Sequence, residues 1–311
     1  MLRDELKPRL GALAAQGVYL GTSSWKYPGW CGSIYDEARY AYRNRFAKTR
    51  FEANCLAEYA ETFSTVCVDA AYYQFPSPKY LEGLVAQVPP EFRFALKVTD
   101  LVTIKKFPNL PRFGQHAGRP NENFLNADLF TSAFIKPCEP FRPFIGTLIF
   151  EFSRFYSADY AHGQDFVADL DRFLGALPGG WPYAVELRNR HWLQPDYFAM
   201  LARHNVAHAW NSWSAMPAVS EQLALAESRT ASDLAVARFL LKPGRTYEEA
   251  VKTFQPYTEV KDANADARSA AKIIVEEGLA ARKKTFVFVN NRLEGSAPKT
   301  IAAILEALDR E

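Results

Sequence analysis

Hydrophobic positions along the chain fall into two alternating periods. Residues 2–16 carry an amphipathic helical pattern. Residues 18–25, Val18-Tyr19-Leu20-Gly21-Thr22-Ser23-Ser24-Trp25, read as a first strand running into the turn-rich Lys26-Tyr27-Pro28-Gly29-Trp30. After a helical stretch at 51–62, strand signals recur at 65–73, 93–98, 146–152, 183–188, 206–213, 236–242 and 284–291, with helical spacing between them. Eight strands alternating with helices predict an α/β fold, a TIM-type (β/α)8 barrel rather than a six-stranded open sheet. No Gly/Ser-rich or low-complexity linker interrupts the pattern, so residues 1–311 are expected to form a single barrel domain.

One strand breaks the apolar rule. In Ala184-Val185-Glu186-Leu187-Arg188-Asn189-Arg190-His191-Trp192, apolar Val185 and Leu187 alternate with Glu186 and Arg188, which places both charges on one face. A strand covered on both faces cannot leave such charges unpaired. A purely structural ion pair accounts for them. Their position at the carboxyl end of the strand, where barrels build their sites, instead points to function. The polar groups at the other strand ends extend the candidate site: Ser23, Trp25, Asp69, Lys97, Glu151, Asn211, Arg238, Lys242, Asn290 and Asn291. Lys97 shares its face with Ala95, opposite Phe94 and Leu96, so it is expected to end a barrel interior lined by small residues. Trp25, Tyr27, Tyr72, Tyr73, Trp192 and Trp213 offer rings for stacking on sugars or bases, although some must be core.

Composition and charge narrow the classes. The chain has 311 residues, 48% hydrophobic and 23% charged, which describes an ordinary globular protein. No run approaches the roughly 18–20 apolar residues of a membrane span, and the polar start Met1-Leu2-Arg3-Asp4-Glu5 is unlike a signal peptide, so a cytoplasmic protein without membrane contact is expected. Cys31, Cys55, Cys67 and Cys138 show no CxxC spacing. The five histidines (His116, His162, His191, His204, His208) form no HxH or HExxH, so no metal is expected. Without GxGxxG or GxxxxGK[ST], no nucleotide cofactor is expected either. A net charge of +2 does not describe a general polyanion binder.

Three local features remain. Residues 39–50 hold five basic residues and three aromatics and no acid: a phosphate- and base-binding patch, or more commonly a solvated helix face with buried rings. Residues 99–123, with Pro108, Pro111, Gly114, Gly118 and Pro120, form a long irregular segment on the site side, either a lid or a packed surface loop. Gly295-Ser296-Ala297-Pro298 opens the last helix, with Ser296 as the expected cap and an anion at that helix end as the bolder reading.

The chain resembles the YecE-like family, number 72 among the domains of unknown function. The landmarks are Gly21-Thr22-Ser23-Ser24-Trp25 with Tyr27 and Trp30, Tyr72-Tyr73 with Pro76, Phe92-Arg93-Phe94-Ala95-Leu96-Lys97, Val185-Glu186-Leu187-Arg188 with Trp192, and Asn290-Asn291 with Ala297. They run in order over about residues 18–305. The resemblance implies a TIM-type barrel with a structural likeness to endonuclease IV-type enzymes, and hence nucleic acid as a candidate partner. Departures are also visible. The family's Thr-Val-Glu-x-Asn reads Thr65-Val66-Cys67-Val68-Asp69, its Thr-His after the third strand reads Thr103-Ile104, and its Arg-x-His-Gly reads Arg238-Phe239-Leu240-Leu241. One acid and two histidines are therefore missing, which weakens any chemistry that needs them for proton transfer.

Two readings of function follow. In the first, a metal-independent hydrolase or lyase acts on a phosphorylated, sugar-containing or nucleic-acid-derived substrate. Glu186 is its acid/base and Lys97 a second catalytic group, with Arg188 holding an anion and Asn290, Asn291, Asn211, Trp25, Asp69, Arg238 and Tyr73 binding the ligand. In the second, a catalytically silent barrel binds a small anionic or sugar-like ligand, or nucleic acid, through the same mouth. The sequence names no oligomeric state.

Overall fold

The computed structural model describes residues 1–309. Its eight barrel strands are β1 (Val18–Thr22), β2 (Thr65–Val68), β3 (Arg93–Lys97), β4 (Ile145–Phe152), β5 (Tyr183–Leu187), β6 (Ala207–Ser212), β7 (Leu234–Phe239) and β8 (Lys284–Val289). All pair in parallel with their sequence neighbours, and β1 closes the ring against β8, giving the expected TIM-type barrel. The seam between β1 and β2 is the narrowest, with Thr22 opposite Val66 alone in register. There the backbones crowd: a Cβ on Gly21 would lie 2.3 Å from the Thr65 carbonyl oxygen, so only glycine fits.

Period-two alternation sorts the strand side chains. Outward groups such as Val66, Leu96, Phe150, Val185 and Val287 join the large core beneath the helices. A buried ring such as Phe150 contributes about 1.5–3 kcal/mol. Inward groups are small at mid-height, with Cys67, Ala95, Ala184, Ala207 and Ala209 in one cluster. At the amino end of the strands the barrel is plugged by rings, Tyr19 stacking on Phe286 at 4.8 Å. Gly146 makes room for that plug, since a Cβ there would meet Phe286 at 2.5 Å. Small residues in the middle and rings below leave space above them for long charged side chains.

Several local expectations need correction. The strand expected at 65–73 stops at Val68, and Ala70–Tyr73 is one helical turn, because the apolar run continues past the barrel rim. Residues 39–50 do not form a helix face. They build a 3-10 turn, a two-stranded ribbon (Ala41–Tyr42 with Arg45–Phe46), and the start of the helix Lys48–Ala60. Arg43 and Asn44 both have positive φ, 51° and 58°, the geometry of a tight hairpin turn that lacks its usual glycine signal. Ser296 occupies the cap position of the helix Ala297–Leu308 but makes no side-chain cap hydrogen bond. Asn291 Oδ1 performs that task, accepting from Ala297 N at 2.8 Å.

Residues 99–123 are ordered over the rim: a helical turn (Asp100–Thr103), a 3-10 segment (Pro111–His116), and a bridge pairing Lys106 with Pro120. Asn121 fastens the segment, donating to the carbonyls of Leu101 and Ile104 at 2.7 Å each. No described helix is long and apolar enough to cross a membrane.

Candidate functional site

Six charged side chains converge at the carboxyl end of the strands. Lys97 ends β3, Glu151 and Glu186 are the penultimate residues of β4 and β5, Arg188 follows β5, Arg238 is penultimate in β7, and Asp69 follows β2. Glu151 and Glu186 are register partners on adjacent strands, so two carboxylates stand side by side in the barrel. Like charges that close repel, and cations must intervene. Glu151 Oε2 lies 2.8 Å from Lys97 Nζ, 2.9 Å from Arg188 Nη2 and 2.8 Å from Arg238 Nη1. Glu186 accepts from Arg188 Nε through Oε1 at 2.9 Å and from Arg238 Nη1 through Oε2. Asp69 stands off, its Oδ1 3.8 Å from Lys97 and 3.7 Å from Arg238.

Burial sets the electrostatics. Desolvation pushes the Glu151 carboxyl up, but Arg188, Lys97 and Arg238 outweigh it and hold the group well below the usual carboxylate range. Burial would likewise lower Lys97, yet Glu151 and Asp69 keep its ammonium above the ordinary lysine value. Both groups are therefore charged at neutral pH. Two rings carry the cations from outside: Lys97 Nζ sits 3.9 Å from the Tyr72 ring centroid and the Arg188 guanidinium 3.8 Å from that of Trp213. Cys67, where the family pattern has an acid, is wholly buried, and burial pushes its thiol up to about 12, so it adds no negative charge.

The other sequence candidates divide. Asn211 lies inside the mouth. Its Nδ2 donates to the Leu187 carbonyl at 3.1 Å, and its buried Oδ1 has no partner among the described residues. Ser23 Oγ and Asp69 Oδ1 are also buried without hydrogen-bond partners. Asn290 follows β8 at the same end, but its Oδ1 accepts from Arg292 N at 2.9 Å. Asn291 is committed to the fold, its Oδ1 also accepting from the Trp30 indole at 3.2 Å. Trp25 lines a separate groove with Leu56, Tyr80 and Leu84. Tyr73 is exposed at the rim, 5.0 Å from the Arg112 guanidinium.

Glu151 is the hub that the strand-end reading included without a role, since nothing local marks a carboxylate shared by Lys97 of β3, Arg188 just past β5 and Arg238 of β7. Arg112 carried no sequence signal at all. It pairs with Asp100 at 2.9 Å and lies over the rings of Phe113, Tyr73 and Tyr72. Among the described residues, no group of three or more His, Cys, Asp or Glu side chains is placed to hold a metal ion.

A closed parallel barrel with its charged residues at the carboxyl end of the strands defines a TIM-type barrel protein with a polar mouth. Within that class the chain belongs to the family described as "Protein of unknown function DUF72", which it matches over residues 19–311. That is the family its sequence landmarks resemble. Solved structures agree on the fold. A DUF72 family protein from Enterococcus faecalis V583 superposes with a TM-score of 0.61 at 16% identity, covering 94% of this chain and 96% of that one. A second, from Thermotoga maritima MSB8, gives 0.58 at 19% identity, covering 94% and 99%. No curated protein shows a significant match.

Proposed function

We propose that the barrel mouth binds a small anionic, hydroxyl-bearing ligand, with Arg188 and Lys97 facing its anionic group. The observation that carries this reading is the loose hold on one acid of the charged layer. Lys97, Arg188 and Arg238 oppose only Glu151 and Glu186 at hydrogen-bonding distance, and the sixth charge, Asp69, waits 3.7–3.8 Å away. Three cations thus face three carboxylates with Asp69 held loosely, and an incoming anion takes the place of Asp69 beside Lys97 in a desolvated setting, where such contacts are strong. Ser23 Oγ, Asp69 Oδ1 and Asn211 Oδ1, buried without a hydrogen-bond partner, supply acceptors suited to ligand hydroxyls.

In this reading Glu151 and Glu186 are positioning residues. Both Glu186 oxygens accept from guanidinium groups and the residue is completely buried, so it must release an arginine before it can move a proton. Electrostatic stabilisation of a negative charge by Arg188 and Lys97 is the chemistry this arrangement favours, whether the ligand is turned over or only held. Calorimetric titration of the full chain with inorganic phosphate and ribose 5-phosphate tests it. Binding should weaken by well over about tenfold in Arg188→Lys, which keeps the charge and loses the planar fork. Unchanged affinity in folded Arg188→Lys and Arg188→Ala proteins would end the proposal.

A further inference from the structure

Beside Arg188 opens a cleft of about 490 Å³ between the loops that follow β4 and β5. Its lining holds the guanidinium groups of Arg154, Arg188 and Arg190 and the ring of His191, with no acidic side chain. Arg154 and Arg190 are exposed and form no ion pair with a described residue, and the Arg154 guanidinium lies 5.3 Å from the Tyr156 ring centroid. The two loops are stitched together. Asn189 accepts from Phe155 N through Oδ1 and donates to the Phe155 carbonyl through Nδ2, both at 2.9 Å. Trp192 stacks on Phe155 at 5.6 Å with an interplanar angle of 18°. Unpaired guanidinium groups are thus held on fixed walls, continuous with the buried network through Arg188.

We infer that this cleft is a second anion subsite, and that the ligand of the mouth carries two anionic groups, as a bisphosphorylated sugar does. The inference rests on the mouth reading above, because Arg188 is shared by both spaces. A cleft of this volume suits a small molecule. An extended polyanion would need a basic track beyond it. The basic run at residues 39–50 does not line this cleft.

The test titrates inorganic phosphate, ribose 5-phosphate, pyrophosphate and fructose 1,6-bisphosphate into the wild-type chain and into Arg154→Ala and Arg190→Ala. Both of these residues are exposed, so the variants should fold. Two charge-assisted contacts are expected to make one of the ligands with two phosphoryl groups bind at least about tenfold tighter than the monophosphates. Each variant should remove most of that gain and leave monophosphate affinity unchanged. If all four ligands bind alike, and the variants change nothing while Arg188→Lys weakens every one, the mouth stands and the second subsite falls. If none binds, both readings fall. A short oligonucleotide that displaces the bisphosphate through the same arginines would overturn the small-ligand assignment.

Discussion

Arg188 does two jobs with one planar group. Its Nε and Nη2 edge is bound to Glu186 and Glu151, and its face lies on Trp213, so its orientation is set before any ligand arrives. Trp213→Ala should therefore lower anion affinity several-fold by freeing the guanidinium. Calorimetry measures the affinity and a thermal melt checks the fold; a stacked cation of this kind contributes about 0.5–2 kcal/mol. His208 gives a separate test of burial. It is sealed among Tyr197, Phe198 and Trp210, and desolvation lowers its pKa from 6.5 to about 3. Below 6.5 the unfolded chain binds a proton that the folded chain refuses. The stability contributed by the neutral ring is thus complete above that value and is lost as pH falls toward 3, at about 1.4 kcal/mol per pH unit. Urea unfolding of wild type and His208→Gln from pH 7 to pH 4 should show a shallower slope in the variant. Parallel slopes would mean that His208 is protonated in the folded state.

The segment 99–123 shows how an element can be marked in the sequence while its contacts are not. Its prolines and glycines announce irregular chain, but not the contacts that join Asn121 in holding it, Arg112 with Asp100 within the segment and with the rings of Tyr72 and Tyr73 outside it. Tyr72 in turn lies under Lys97, so the rim segment and the charged site share one aromatic wall. The Arg112 side chain is about a third exposed, at 36%, and an ion pair in that setting contributes at most about 1 kcal/mol. Arg112→Ala should accordingly leave the melting temperature nearly unchanged and speed tryptic cleavage after the exposed Lys106, as followed by mass spectrometry. A cleavage rate equal to wild type would show that Asn121 alone holds the segment.

Across the whole molecule, the sequence speaks clearly wherever one strand or helix decides the outcome. Each of the eight barrel strands overlaps a span that alternation marks, although the second stops at Val68 and the seventh at Phe239, and Glu186 and Arg188 declare themselves because both break a single apolar run. The hub at Glu151 was harder to read, because its partners come from β3, from the residue after β5, and from β7, with Arg238 87 positions away. Only barrel closure brings them together. The same closure makes the network cooperative, which yields the broadest prediction. Glu151→Gln keeps shape but leaves three buried cations facing one fully buried acid, and breaking a buried pair in this way costs about 3–5 kcal/mol. Because the folded Glu151 carboxyl is held below the ordinary 4.5, its stabilisation is present above that pH and fades as the solution is acidified, so the variant should also have the flatter acid limb. An anion entering the mouth should replace part of the missing charge. At one hundred times its dissociation constant a ligand adds about 2.7 kcal/mol to the folded state. Phosphate should thus raise the melting temperature of Glu151→Gln by more than that of wild type, with sodium chloride at equal ionic strength as the control. Equal shifts in phosphate and chloride for both proteins would mean that the buried layer offers no cation to a ligand.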